Sequence, residues 1–116
     1  MIVDDSMVVR RKIERSQQLG AIEKIVQASN GREAVDVLKE HQPDVVTMDL
    51  TMPEMDGVES VRRLMEIKPD VKILVISALT DKMTAIQAIK NGARGFLSKP
   101  FNEARLNDAL EKLIAN

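Results

Sequence analysis

The feature that most constrains this chain is an alternation of short, continuous apolar runs with longer amphipathic stretches. The runs are Ile2-Val3, Ile25-Val26, Val45-Val46, Ile73 to Ile76 and Phe96-Leu97. They are mostly β-branched and unbroken by polar residues, the pattern of strands covered on both faces. The stretches between them have helical spacing. Ala34, Val37, Leu38 and His41 fall at i, i+3, i+4 and i+7; Val58, Val61, Leu64 and Met65 form a second stripe; Leu106, Leu110 and Leu113 form a third. The segment Thr84 to Ile89 is weaker, with only Ala85, Ile86, Ala88 and Ile89 apolar, so a less firmly packed helix is expected there. Gly20, Asn30-Gly31, Pro43, Gly57, Pro69 and Asn91-Gly92 punctuate the pattern, and Ser6 and Asn102 suit helix N-caps. Five strand–helix units in regular alternation predict an α/β fold, a doubly wound open parallel sheet with helices on both faces.

Composition narrows the chemistry. The 116 residues suffice for one domain with a core. Lys plus Arg number 17 and Asp plus Glu 18, and this balance argues against a nucleic-acid or membrane surface, which would need a basic excess. Trp and Tyr are absent and Phe occurs twice, so base-stacking platforms have almost nothing to be built from. Without cysteine there is no disulfide framework, thiol catalysis or cysteine-ligated metal, and a reducing, cytoplasmic setting is compatible. His41 is the single histidine, so a mechanism that needs two imidazoles is excluded. No apolar run approaches the ~20 residues of a membrane span.

In an open parallel sheet, ligands bind beyond the carboxyl ends of the strands. Asp4 and Asp5 follow the first run, Asp49 the third, Ser77 the fourth and Lys99 the fifth. Three carboxylates, one hydroxyl and one ammonium are therefore expected along one sheet edge. Three clustered carboxylates cannot all stay ionised without a cation. An all-oxygen donor set suits a hard divalent ion, Mg²⁺ before Zn²⁺, with Mn²⁺ also acceptable. The plain alternative, that Asp4-Asp5 only caps a helix, loses ground once Asp49 and Lys99 occupy equivalent strand ends. A carboxylate beside Mg²⁺ can accept a phosphoryl group as an acyl phosphate, with Lys99 and Ser77 neutralising and holding its oxygens. Asp49 is the best-placed acceptor.

Four blocks carry a family resemblance: Val3-Asp4-Asp5-Ser6, Met48 through Gly57, Ile76-Ser77-Ala78 and Lys99-Pro100-Phe101. Their order and spacing resemble response-regulator receiver domains of the CheY type over the whole chain. The block around Asp49 is specific; the acidic pair alone would be weak. The resemblance implies a flavodoxin-like (CheY-like) five-stranded sheet in order 2-1-3-4-5, and a single receiver domain over residues 1–116 without an output domain. It implies a phosphorylation-dependent signalling switch in a two-component system, a phosphoprotein and not an enzyme acting on external substrates. Asp49 matches the phosphoacceptor, served by a sensor histidine kinase, its phosphotransfer domain or a small phosphodonor. Asp5 and Asp49 match direct Mg²⁺ ligands, Thr51 would contribute its backbone carbonyl, and Asp4 would act through water. Ser77 matches the hydroxyl that moves towards the phosphoryl group, and Lys99 the family's lysine, usually preceding a cis proline. Phe96 matches the aromatic switch, the plain alternative being a core phenylalanine. Thr51 and Leu79 match the two positions that tune phosphoryl lifetime. The output face is usually the fourth helix, fifth strand and fifth helix. A monomeric chemotaxis-type regulator with an unknown downstream protein partner is expected, with a receiver portion of a larger regulator as the alternative.

Several features depart from that pattern. Only Met1, Ile2 and Val3 precede the acidic pair, so the first strand should be short. On the first helix, Val9 and Ile13 set an inward face that continues into Ser16-Gln17, which needs polar partners, a partner surface or a different turn of the helix. Arg10-Arg11-Lys12 reads as a solvated face, with Arg10 near the site. The seven Met residues read as core filler, with Met52 and Met55 as candidates for exposure near the site. A haloacid-dehalogenase-like phosphatase also uses an Asp nucleophile and Mg²⁺, but needs a second Asp where this chain has Thr51. An unphosphorylated interaction module on the same fold would have eroded the acidic pair, acceptor or lysine, and none is eroded.

Overall fold

A computed structural model describes residues 1–51, 56–78 and 80–115. Its elements run β1 (Ile2–Val3), α1 (Met7–Ser16), β2 (Gln27–Ala28), α2 (Gly31–His41), β3 (Val45–Asp49), α3 (Gly57–Ile67), β4 (Lys72–Ala78), α4 (Lys82–Lys90), β5 (Gly95–Lys99) and α5 (Glu103–Ala115). All strand pairs are parallel, in the order β2-β1-β3-β4-β5. The doubly wound order expected from the resemblance is present, and β1 is short.

Side-chain alternation along the strands divides the interior into two cores. Val46, Met48, Ile73 and Val75 face Ala34 and Leu38 of α2, Val61 and Leu64 of α3, and Ala85 and Ala88 of α4. Ile2, Leu74, Ile76 and Leu97 face Ile13 of α1 and Leu106, Leu110 and Leu113 of α5. The three helical stripes read from the sequence supply the covering on both sides. Capping sets the helix starts. The Ser6 hydroxyl accepts from the Val9 amide at 3.3 Å, Asn30 Oδ1 from the Glu33 amide at 2.8 Å, and Asn102 Oδ1 from the Arg105 amide at 2.8 Å.

The second strand lies two residues later than its apolar run. Ile2 pairs with Gln27 and Val3 with Ala28, while Ile25 and Val26 pack against the two cores just before the ladder. The register follows from β1: the Ile2 amide donates to the Val26 carbonyl at 2.9 Å and the Asp4 amide to the Ala28 carbonyl at 3.1 Å. β5 also differs from a strand covered on both faces. It is an edge strand, and Leu97 is buried whereas Phe96 is exposed at 41%. The weak helix is weak as expected: α4 buries only Ala85 and Ala88 and leaves Met83, Ile86 and Ile89 exposed.

The polar end of α1 has a simple cause. The helix stops at Ser16, and Ser16 and Gln17 belong to its C-terminal turn, where carbonyls need donors. Asn107 on α5 supplies one, its Nδ2 donating to the Ser16 carbonyl at 2.8 Å, and its Oδ1 accepts the Gln18 amide at 2.7 Å. Gln17 Oε1 accepts the Leu19 amide at 3.1 Å. The Asn107 side chain thus ties the end of α1 to α5, and Ser16 and Gln17 are half-buried and do not form a buried face. No helix among the described residues is long and apolar enough to cross a membrane.

Candidate functional site

The carboxyl ends of β1 and β3 lie side by side because Val3 pairs with Met48. One residue beyond each pair come Asp4 and Asp49, both buried; Asp5 follows and is exposed. One carboxylate oxygen from each of Asp4, Asp5 and Asp49 lies within 4.8 Å of the others. Asp4 Oδ1 accepts the Ser6 amide at 2.8 Å, so the same carboxylate helps to start α1. Burial pushes the Asp4 carboxyl up to about 6, and the negative charge of Asp49 pushes the same way. A divalent cation would reverse that logic by favouring the ionised form. The donor set is three carboxylates with no nitrogen or sulfur, which fits a hard cation such as Mg²⁺.

The two oxygens of Asp49 have different surroundings. Oδ1 accepts three hydrogen bonds: from Lys99 Nζ at 3.1 Å, from the Thr51 amide at 3.1 Å and from the Thr51 hydroxyl at 2.9 Å. Among the described residues no donor reaches Oδ2, which is the oxygen with lone pairs to spare. Lys99 comes from the last position of β5, two strands away. It is followed by a cis peptide bond to Pro100, as the resemblance implied.

Ser77 is fully buried one register step beyond the Asp49–Ile76 pair. Its hydroxyl donates weakly to the Ala78 carbonyl at 3.4 Å and makes no hydrogen bond to Asp49 among the described residues. Phe96 pairs with Val75 and points outward, exposed. The alternative of a plain core phenylalanine does not hold here: β5 is the edge strand and the Phe96 ring is exposed. Leu79, Met52 and Met55 lie outside the described residues.

Two contacts escaped the sequence reading. Thr51 was expected to act through its carbonyl, yet its hydroxyl is bonded to Asp49. Arg10 was read as part of a solvated face, yet its guanidinium Nη1 donates to the Asp4 carbonyl at 2.6 Å and its Nε to Gln27 Oε1 at 3.0 Å. No local pattern marks either contact, since both depend on how the strand-end loops turn.

Comparison with known proteins agrees with this geometry. Residues 1–111 match the family described as the response regulator receiver domain. The chain is 43% identical over 113 residues to the chemotaxis protein CheY of Thermotoga maritima, covering 97% of this chain and 94% of that protein. It is 39% identical over 114 residues to the chemotaxis protein CheY of Bacillus subtilis, covering 98% and 95%. Among solved structures, the chemotaxis protein CheY4 of Vibrio cholerae superposes with a TM-score of 0.86 at 30% identity, covering 97% of this chain and 94% of that one. This chain belongs to the response-regulator receiver family, whose CheY-type members are signalling switches and not classical enzymes.

Proposed function

We propose that this receiver is switched by phosphorylation of Asp49. The observation that carries the reading is the setting of the Asp49 carboxylate: three donors hold Oδ1, none among the described residues reaches Oδ2, and a carboxylate oxygen of Asp49 lies within 4.8 Å of one from each of Asp4 and Asp5. Oδ2 attacks the phosphorus of a phosphohistidine on a sensor kinase or phosphotransfer domain, or of a small phosphodonor. The new O–P bond forms as the donor's bond to phosphorus breaks: N–P in phosphohistidine, whose imidazole nitrogen takes up a proton from solvent, or O–P in acetyl phosphate, which leaves as acetate. Asp5 and Asp49 would hold Mg²⁺, with the Thr51 carbonyl, and with Asp4 acting through water. When bound, the cation supplies positive charge against the phosphoryl oxygens. Lys99 supplies a second positive charge at Asp49, to which it is already hydrogen-bonded.

Among the described residues the Ser77 hydroxyl is held only by a long bond to the Ala78 carbonyl, so moving it towards a new phosphoryl oxygen sacrifices little. That movement opens space beside β4 and β5, into which the ring of Phe96 turns. The outward Phe96 supports this as the resting position, and its lack of a hydroxyl removes any polar anchor there. Output is then read on α4, β5 and α5, where Met83, Ile86 and Ile89 of α4 and Phe96 of β5 are each exposed. The partner is a protein, the setting is cytoplasmic, and the chemotaxis relatives favour a motility-type pathway.

The aspartyl-phosphatase reading is weaker. It requires an acid two residues after the nucleophile, and the residue there is Thr51, whose hydroxyl is already donated to Asp49. Incubation with acetyl phosphate and Mg²⁺ tests the proposal by mass spectrometry. One added phosphoryl group in the wild type and none in Asp49→Asn is the expected result; equal labelling of both overturns it. A pull-down with and without beryllofluoride and Mg²⁺ then identifies the output partner.

A further inference from the structure

We propose that Arg10 is a positioning residue for the metal-binding half of the site, clamping the Asp4–Asp5 peptide so that both carboxylates face Asp49. The inference rests on the functional reading above and assigns a part that the acidic residues cannot supply themselves. Asp4 and Asp5 sit on the turn between β1 and α1, and three like charges within 4.8 Å push that turn away from Asp49. Something has to hold it. The Asp4 amide is tied to β2 through the Ala28 carbonyl, and the Asp4 carboxylate is tied to the start of α1 through the Ser6 amide. The Asp4 carbonyl, which belongs to the same peptide unit as the Asp5 amide, is tied by Arg10 Nη1 at 2.6 Å.

Arg10 is itself anchored at two points. Its backbone amide donates to the Ser6 carbonyl at 3.0 Å within α1. Its Nε donates at 3.0 Å to Gln27 Oε1 on β2, and Gln27 Nε2 donates in turn to Glu14 Oε2 at 3.0 Å. The half-buried guanidinium thus bridges the acidic turn and the neighbouring strand with its flat fork, a geometry that a flexible ammonium reproduces only in part. Among the described residues the Arg10 side chain makes no hydrogen bond or ion pair with Asp49 or Lys99, so it acts on the acidic pair and not on the reacting oxygen.

The test uses Arg10→Met, which keeps the apolar stem without donors, and Arg10→Lys, which keeps one donor head. Mg²⁺ affinity is measured directly by amide NMR titration. Metal-free melting is recorded alongside, and the acetyl phosphate labelling rate is taken at saturating Mg²⁺. Arg10→Met is expected to weaken Mg²⁺ binding by about tenfold, the usual cost of losing a partner that orients a ligand. Its labelling rate at saturating Mg²⁺ stays near that of the wild type, and Arg10→Lys recovers part of the affinity. Wild-type Mg²⁺ affinity in a folded Arg10→Met protein overturns the clamp, as does a fall in the saturated rate with affinity intact. If Arg10→Met does not fold, Arg10→Lys decides: unchanged Mg²⁺ affinity overturns the proposal, and a loss smaller than tenfold supports it. A wild type that binds no Mg²⁺ overturns the functional reading itself, which keeps the two failures apart.

Discussion

Gly57 opens α3 immediately after the Asp49 loop, and its missing side chain is a spatial requirement. A Cβ added there would lie 2.8 Å from Leu50 Cδ2, 2.9 Å from Leu50 Cα and 3.1 Å from the Asp49 carbonyl oxygen. The Leu50 side-chain tip could rotate away. The Leu50 backbone cannot, because Leu50 is buried and its amide donates to the Ile76 carbonyl of β4 at 3.1 Å. Alanine ordinarily stabilises a helix over glycine by up to about 1 kcal/mol, less at its first residue. Overpacking against immobile backbone costs about 1–3 kcal/mol. The clash wins, so Gly57→Ala should lose roughly 1–2 kcal/mol, a fall in Tm of about 4–8 °C for a domain of this size. The shift also displaces the backbone that carries Asp49, so acetyl phosphate labelling should slow. Gly20→Ala is the matched control, since nothing lies within 4 Å of its added Cβ; it should melt at or slightly above the wild type. Thermal melts followed by far-ultraviolet circular dichroism read both variants. A Gly57→Ala protein that melts at or above the wild type would refute the steric argument.

Asp4 provides a pH test in metal-free buffer. Its carboxyl is raised from 3.8 unfolded to about 6 folded, mainly by burial, so the folded state binds the extra proton between those values and loses stability as pH rises through them. Asp4→Asn removes that loss while keeping an acceptor for the Ser6 amide. It should melt above the wild type at pH 7, and the gap should close towards pH 4; a pH-independent gap would count against the burial argument. Asn107→Ala removes the donor to the Ser16 carbonyl and the acceptor for the Gln18 amide, and should cost about 1–3 kcal/mol in urea unfolding. An unchanged unfolding midpoint would mean water replaces both bonds. Leu79 cannot orient an attacking water by hydrogen bonding, so the wild type should lose its phosphoryl group more slowly than Leu79→Glu, as followed by decay of the labelled species; equal rates would remove that tuning role.

The alternation of apolar runs and stripes was enough to read the architecture. A strand period and a helix period leave different marks, and a parallel connection requires a helix between strands. The strand-end rule was enough to gather Asp4, Asp5, Asp49 and Lys99 at one edge, because in a parallel sheet every strand delivers its carboxyl end to the same side. The errors have physical causes as well. Gln27 reads as polar but carries a ladder position, because parallel register is set by the neighbouring strand and not by its own hydropathy. The run Phe96-Leu97 reads as a strand covered on both faces, but β5 lies at the sheet edge and Phe96 is exposed.

What the sequence determined alone is therefore whatever depends on local period and chain order: the elements, their sequence, the layer architecture and the chemical character of one sheet edge. What only the tertiary structure decided depends on contacts between distant residues. Lys99 meets Asp49 across 50 positions, Asn107 closes α1 across 91, and Arg10 reaches both the Asp4 carbonyl and Gln27. Such contacts arise from the twist and register of the sheet and from the paths of its turns. Those also decide that Oδ1 of Asp49, and not Oδ2, accepts the hydrogen bonds of Thr51 and Lys99, a distinction between two atoms of one residue that no pattern of residue types can carry.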